Sequence, residues 1–411
     1  MFGKLLALLF LSLAGADQSL PPVSKIELGS GLLTQFQSDL AKQVDKRGID
    51  FTADGQFVSI LRDSGAQGRL LESVSHSRIY PRNESATETE ALTHLLDCAR
   101  MEYKEMLLAL DSCESALKTL PNNPLVLTAV AAAQGRHNCR SEQALDNIQK
   151  AVRLAPESSE AHRVYAFLLA CSEKPGRAEK EYQVAISLDQ DNARAHFDLG
   201  MYYGSADQKA LPELRQAATL DPTNGYYRYW VGQFLESSGK VDDAFSEYKE
   251  AENVEPLYPR PYISRAEILA ARKQYSEAIQ EAQRAIAVDP DYMPSHLAMA
   301  DVLLLKGDFE RALDVLQGAA RTIPNDSNAY FRMVNLLSER EDLTRAIAVA
   351  REAIARDPQF GALFEYQLAD LLEKRGDYAG ALEQYQRLVV TQGETPDLQK
   401  AIMRVNAKLH P

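Results

Sequence analysis

Four cysteines, Cys98, Cys113, Cys139 and Cys171, carry the most reactive side chains in this sequence. None forms a CxxC pair and no histidines are grouped beside them, so the ligand spacing of a zinc site is missing. That leaves structural disulfides or buried free thiols as the open readings. The chain holds no phosphate-binding glycine loop, no nucleophile elbow and no HExxH pair, so no catalytic residue, metal or cofactor is assigned.

The overall charge narrows the partners. With 58 acidic against 45 basic residues the net charge is -13, a field that repels phosphate backbones and anionic lipid. Nucleic acid is therefore not an expected partner, and no small-molecule substrate is expected either. Apolar residues make up 45% and charged residues 25%, a balance that folds rather than staying disordered.

Residues 1-16 read as a secretory signal peptide: Lys4 supplies the positive start, Leu5 to Leu13 the apolar stretch, and Ala14, Gly15 and Ala16 a small-residue cleavage site before Asp17. The rival is an uncleaved anchor, but nine apolar residues fall short of the roughly 20 that span a bilayer. No cysteine follows the cut, which argues against lipid attachment there. No later segment is expected to span a membrane, so the expected location is periplasmic or secreted.

An internal period organises the rest. An alanine, a second alanine seven residues on and a proline five further recur as Ala109-Ala116-Pro121, Ala144-Ala151-Pro156, Ala210-Ala217-Pro222 and Ala244-Ala251-Pro256. They continue as Ala278-Ala285-Pro290, Ala312-Ala319-Pro324 and Ala346-Ala353-Pro358. A degraded copy, Ala178-Ala185-Gln190, fills the middle, and a last one starts at Ala381. Upstream of the alanines stand Leu199, Gly200 and Tyr203 in one unit and Val231, Gly232 and Leu235 in the next, with Ala266, Ala300 and Ala369 replacing the glycine later. This register resembles the tetratricopeptide repeat, a helix-turn-helix unit of about 34 residues with the pattern W-x2-L-G-x2-Y, A-x3-F and a final P.

The resemblance implies an all-α fold: a right-handed α-α superhelical solenoid of about nine tetratricopeptide-like repeats over residues 87-395, closed by a capping helix in 396-411. Small residues accept the facing helix, and Tyr248, Leu316 and Tyr385 fill the remaining space. Gly239, Gly307 and Gly376 fall where the first helix of a pair must end in a left-handed residue. The cap is expected from Asp397 to Leu409, with Leu398, Ile402 and Val405 on one face. Residues 17-86 leave the period and read as a small helical N-terminal module and linker, with helical patterns over Leu32 to Val44, Phe57 to Leu61 and Leu70 to Val74. Arg47 to Phe51 with Leu61 to Ala66 resembles a helical module found ahead of repeat arrays in exported bacterial proteins. Pro81 to Ala86, containing the sequon Asn83-Glu84-Ser85, reads as the linker.

Repeat geometry suggests the pairings Cys98 to Cys113, across one helix pair, and Cys139 to Cys171, at the turns of adjacent pairs. His162 and His196, one repeat apart, share the large-residue position opening a first helix with Tyr262, His296, Tyr330 and Phe364, so their expected role is packing. In the family, binding uses the concave face lined by first helices. By register that face takes Arg163, Phe167, Arg194, Phe197, Met201, Tyr226, Tyr229, Gln233, Arg260, Ile263 and Glu267, with Phe197, Tyr226 and Tyr229 foremost. Leu297, Asp301, Phe331, Asn335, Tyr366 and Asp370 follow farther along. The residue set that grips a terminal carboxylate in some family members is missing, since Phe167 stands where asparagine would follow Arg163. The expected function is a non-catalytic scaffold or adaptor in the bacterial cell envelope that holds a protein or peptide partner. The alternative is a structural spacer subunit of an envelope assembly or polysaccharide-export machine. An enzyme built on such an array would be expected to add a catalytic domain, for which the residues after the array leave no room.

Overall fold

The computed structural model describes residues 23–34, 37–51, 53, 55–63, 66, 68–77, 86–102, 106–172, 175–205, 207–356 and 361–410. The expected signal segment, residues 81–85 of the expected linker and Pro358 lie outside them. The described residues form 23 α-helices joined by short turns, with no strand beyond one isolated bridge between Val23 and Ile49.

Within each unit the helices between Ala86–Glu102 and Tyr378–Gln392 follow one another in antiparallel pairs on the expected register, and Pro396–Leu409 comes last. The period works through side-chain size. Ala144, Ala151, Ala210, Ala217, Ala278, Ala312 and Ala346 are fully buried, while Tyr248, Leu316 and Tyr385 fill the gaps between helices. At Gly200 the fit leaves no room for a methyl: an added Cβ would stand 2.8 Å from Leu214 Cγ and 3.1 Å from the Ala210 carbonyl oxygen. Starts are set by side-chain caps, with Asn123, Ser141, Ser158, Asn192 and Asn224 accepting from N–H groups of the first turn.

The chain divides into two compact units, residues 1–240 and 241–411. The boundary falls between the helices Gly225–Ser237 and Val241–Val254. In the second unit one continuous core runs from Ala266 through Leu303, Leu337 and Leu372 to Val405, which lies on the last helix. Leu398, Ala401 and Val405 are the buried stripe of that helix, as a cap requires, and Thr395 Oγ1 accepts from Leu398 N at 3.3 Å to start it.

In the first unit the N-terminal module comprises four helices: Lys25–Thr34, Gln37–Arg47, Gly55–Asp63 and Gly68–His76. The expected single helix over Leu32 to Val44 is replaced by two that pack on each other. The first of the two is packed closely through its glycines. A Cβ on Gly31 would stand 2.7 Å from Leu40 Cδ1, and one on Gly29 would stand 3.0 Å from Leu92 Cδ1. Glycine is a poor helix former, so this segment has little helical signal of its own and is helical because close packing on two sides holds it. Ile26, Leu28, Leu40, Val44, Leu61 and Leu70 share one hydrophobic core with Leu92, Leu95, Ala116, Val126 and Val130 of the first two repeats. The module and the start of the array are thus one packed body.

Candidate partner-binding face

In the first unit, side chains from successive first helices meet as a linked series. Arg163, on Ser159–Cys171, is buried; its Nε donates to Glu160 Oε2 at 2.9 Å and its guanidinium also binds Asp198 of the next first helix, Ala193–Tyr203. Burial works against the charge of Arg163, but Glu160 and Asp198 beside it win and hold it firmly cationic. Arg194 Nε donates to Asp198 Oδ1 at 2.9 Å, and its guanidinium sits 5.6 Å from the Phe197 ring centroid. Phe197 in turn packs against Tyr226 at 5.4 Å and Tyr227 at 5.1 Å, and Tyr226 and Tyr229 pack edge-on against Trp230.

This arrangement redistributes the side chains assigned to the face by register. Phe197 and Tyr229 are only 3% and 8% exposed: Phe197 packs on Tyr226 and Tyr227 of the next repeat, and Tyr229 is buried beside Trp230 of its own helix, so neither ring is presented surface. Arg163 is likewise tied into the repeat-to-repeat ion cluster. Phe167, Arg194, Met201, Tyr226 and Gln233 are half-buried, and Phe167 joins the core between the second and third repeats. In the second unit Ile263 is half-buried, Glu267 is exposed, and exposed Arg260 donates from Nε to Tyr292 Oη at 3.0 Å.

Farther along that unit the first helices are linked by polar rungs. Arg332 binds Asp301, and Gln367 Nε2 donates to Asn335 Oδ1 at 3.2 Å. Beside these rungs Phe331, Leu363 and Tyr366 are 37%, 50% and 46% exposed. Large apolar groups on a solenoid face, next to charged and amide groups, are the composition of a contact surface.

The histidines are structural. His162 Nδ1 lies 2.6 Å from Glu181 Oε2 and its Nε2 lies 3.0 Å from the Pro156 carbonyl oxygen. His296 Nε2 faces the Pro290 carbonyl at 2.8 Å, and Tyr262 donates to the Pro256 carbonyl at 3.2 Å. One register position therefore ties the start of a first helix to the proline that ended the preceding repeat. His196 pairs with Glu213 at 2.7 Å. Cys98 and Cys113 form a disulfide with Cα atoms 5.3 Å apart. The expected second bridge is not formed: Cys139 and Cys171 are half-buried free thiols, and burial together with a hydrogen bond with Cys139 pushes Cys171 up to about 12. Among the described residues no cluster of metal-ligating side chains occurs, and no helix is long and apolar enough to cross a membrane.

Sequence reasoning missed Asp198, Tyr227 and, from the N-terminal module, Asp39. Tyr227 is fully buried and donates to Asp39 Oδ2 at 2.9 Å, a partner 188 positions away. The repeat register places Tyr227 on a first helix but carries no signal for a partner outside the array.

Two tetratricopeptide repeat family models match the chain, over residues 269–337 and 331–397. A curated relative, interferon-induced protein with tetratricopeptide repeats 2 of Cricetulus griseus, is 26% identical over 159 residues, or 38% of this chain. The matched stretch spans about a third (34%) of that relative's length. Among solved structures, yeast Tom70 is 16% identical with a TM-score of 0.51, covering 96% of this chain and 86% of Tom70. A human IFIT1 dimer with PPP-AAAA is 18% identical with a TM-score of 0.49, covering 75% of this chain and 74% of that one. At these identities the Tom70 likeness shows a shared solenoid fold.

Proposed function

We propose, from the premise that this is a tetratricopeptide repeat protein, that it is a non-catalytic scaffold holding an extended or helical segment of a protein partner against its first-helix faces. The observation that carries the reading is the exposure of Phe331, Leu363 and Tyr366 beside the Asp301–Arg332 and Asn335–Gln367 rungs. None of the three belongs to the buried core of the second unit, and Tyr366, though it packs edge-on against core Tyr385 at 5.9 Å, stays largely open to solvent. In the first unit, half-buried Arg194, Met201, Tyr226 and Gln233 are the register residues suited to the same task. Lys4, the Leu5 to Leu13 stretch and Ala14 to Ala16 support export, and with it a partner in the bacterial envelope or outside the cell. The net charge of -13 favours a protein partner over a nucleic acid.

The test compares the full chain with a Phe331→Ala/Tyr366→Ala variant in affinity capture from native envelope, followed by measurement of the captured partner's affinity. Two anchor rings at about 1 to 2 kcal/mol each predict a loss of roughly tenfold or more. Undiminished binding by a variant with wild-type helicity rules this face out.

A further inference from the structure

The N-terminal module does more than cap the first repeat. Its first helix, Lys25–Thr34, lies on the first two repeats, where Ser30 Oγ donates to the Leu125 carbonyl oxygen at 3.0 Å. Its second helix, Gln37–Arg47, reaches the turn between the fourth and fifth repeats through Asp39 and Lys42, three positions apart on one stripe. Lys42 Nζ sits 3.0 Å from Asp221 Oδ1 and also binds the carbonyl of Leu220, the last residue of its helix, where the partial negative charge of the helix end favours a cation. Asp39 accepts from Tyr227 at 2.9 Å, and the Asp221 carboxylate that Lys42 binds is near enough to raise the proton affinity of Asp39. Arg69, on Gly68–His76, bonds both Asp45 at 3.4 Å and Thr223 at 3.5 Å.

We infer that the module is a strap tying the first two repeats to the junction of the fourth and fifth, and that the Asp39–Asp221 carboxyl pair is its proton-operated latch. Two neighbouring buried carboxyl groups served by one lysine sit together at least cost while one of them keeps its proton. When that proton leaves to solvent, two carboxylates face each other and Lys42 offers a single charge against both. Asp221 is fully buried, so water cannot screen the repulsion. The groups facing the pair are Tyr227 from Gly225–Ser237 and Lys42 from the strap helix, with Arg194 and Asp198 beyond Tyr227. Of the other charges on the packed module helices, Glu27 pairs with Arg47, Lys46 faces Asp189, and Arg69 pairs with Asp45 while reaching Thr223 beside Asp221. The geometry agrees with the titration: burial, then the charge of Asp221, pushes Asp39 up to about 7.

The sign follows. Asp39 released from the array returns to an ordinary carboxyl value near 3.8, so the docked strap holds a proton that the released strap does not. Docking is therefore strongest in acid and weakens as pH rises toward 7. The opening constant is expected to grow about tenfold per pH unit between about pH 5 and 7 and to level off above.

The experiment is hydrogen exchange on the full-length protein from pH 5 to 8.5, corrected for intrinsic exchange rates, with no partner present. The expected result is progressive loss of protection over 37–47 while 159–171 and 193–203 stay protected, with the emission of Trp230, the one tryptophan, shifting in the same range. Asp39→Asn is expected to keep 37–47 protected at pH 8, and Asp221→Asn serves as the second variant. Unchanged protection of wild-type 37–47 across the range overturns the proposal. So does loss that spreads through the whole unit at once, or an Asp39→Asn response equal to wild type.

Discussion

Lys273 and Glu341 adopt φ of 62° and 61°, the left-handed conformation that Gly239, Gly307 and Gly376 adopt at the corresponding turn of other repeats. The same turn is thus made with and without glycine. Lys273 N bonds the Ala270 carbonyl at 2.9 Å and Glu341 N the Ser338 carbonyl at 3.0 Å, as Gly239 N bonds Glu236 at 2.9 Å, so hydrogen bonding holds the two side-chain-bearing residues where sterics disfavour them. Left-handed conformation costs a non-glycine residue about 1 kcal/mol, partly offset by the extra chain freedom glycine loses on folding. Lys273→Gly and Glu341→Gly are each expected to stabilise the protein by about 0.5 to 1 kcal/mol in denaturant melts, with Gly307→Ala destabilising by a comparable amount. No change in either direction would mean that the turn is not under conformational strain.

Pairing is the unit of construction at the level of elements, and the first pair, Ala86–Glu102 with Met106–Thr119, is the one fastened covalently. Cys98 and Cys113 are both fully buried in the core that the module shares with the first repeats. Closing a segment of 15 residues restricts the unfolded chain by about 3 kcal/mol on the loop-entropy account. Cys98→Ser/Cys113→Ser is therefore expected to lower the unfolding free energy of the first unit by that order in denaturant melts. Intact-mass analysis with and without reductant should show one bridge and two free thiols. A mass consistent with two bridges would mean that Cys139 and Cys171 also pair in solution.

Over the whole molecule, each unit carries a buried acid that prefers its proton. In the first it is Asp39; in the second it is Glu252, which burial pushes up to about 7 although Arg265 beside it pulls the other way and Glu281 adds repulsion. Arg265 pairs with both Glu252 and Glu281 and stacks over Phe245 at 4.7 Å, so one guanidinium serves two carboxylates. A raised acid stabilises the fold below its unfolded value and that contribution is lost as pH climbs through the folded value. For Glu252 the window runs from 4.5 to about 7. Stability of the second unit is expected to fall across it, and Glu252→Gln is expected to flatten that slope in urea melts taken at a series of pH values. A slope unchanged by the substitution would place the responsible group elsewhere.

Within the repeats almost everything local was legible. Alanine spacing marked the second helices, Gly239, Gly307 and Gly376 marked turns, and the His162, Tyr262 and His296 position marked a packing role now seen as a bond to the preceding repeat's proline carbonyl. These succeed because a repeat packs on its immediate neighbours, so the physics recurs with the sequence period. The candidate face was legible only as a set of positions. Register says which side of a helix a residue occupies, but exposure depends on what comes to rest there, which is why Phe197 and Tyr229 turn out buried while Phe331 and Tyr366 stay exposed. The strap was not legible at all. Lys25–Thr34 is helical through the close packing of Gly29 and Gly31, and Asp39 finds Tyr227 across 188 residues, contacts that exist only once the chain has folded back on itself.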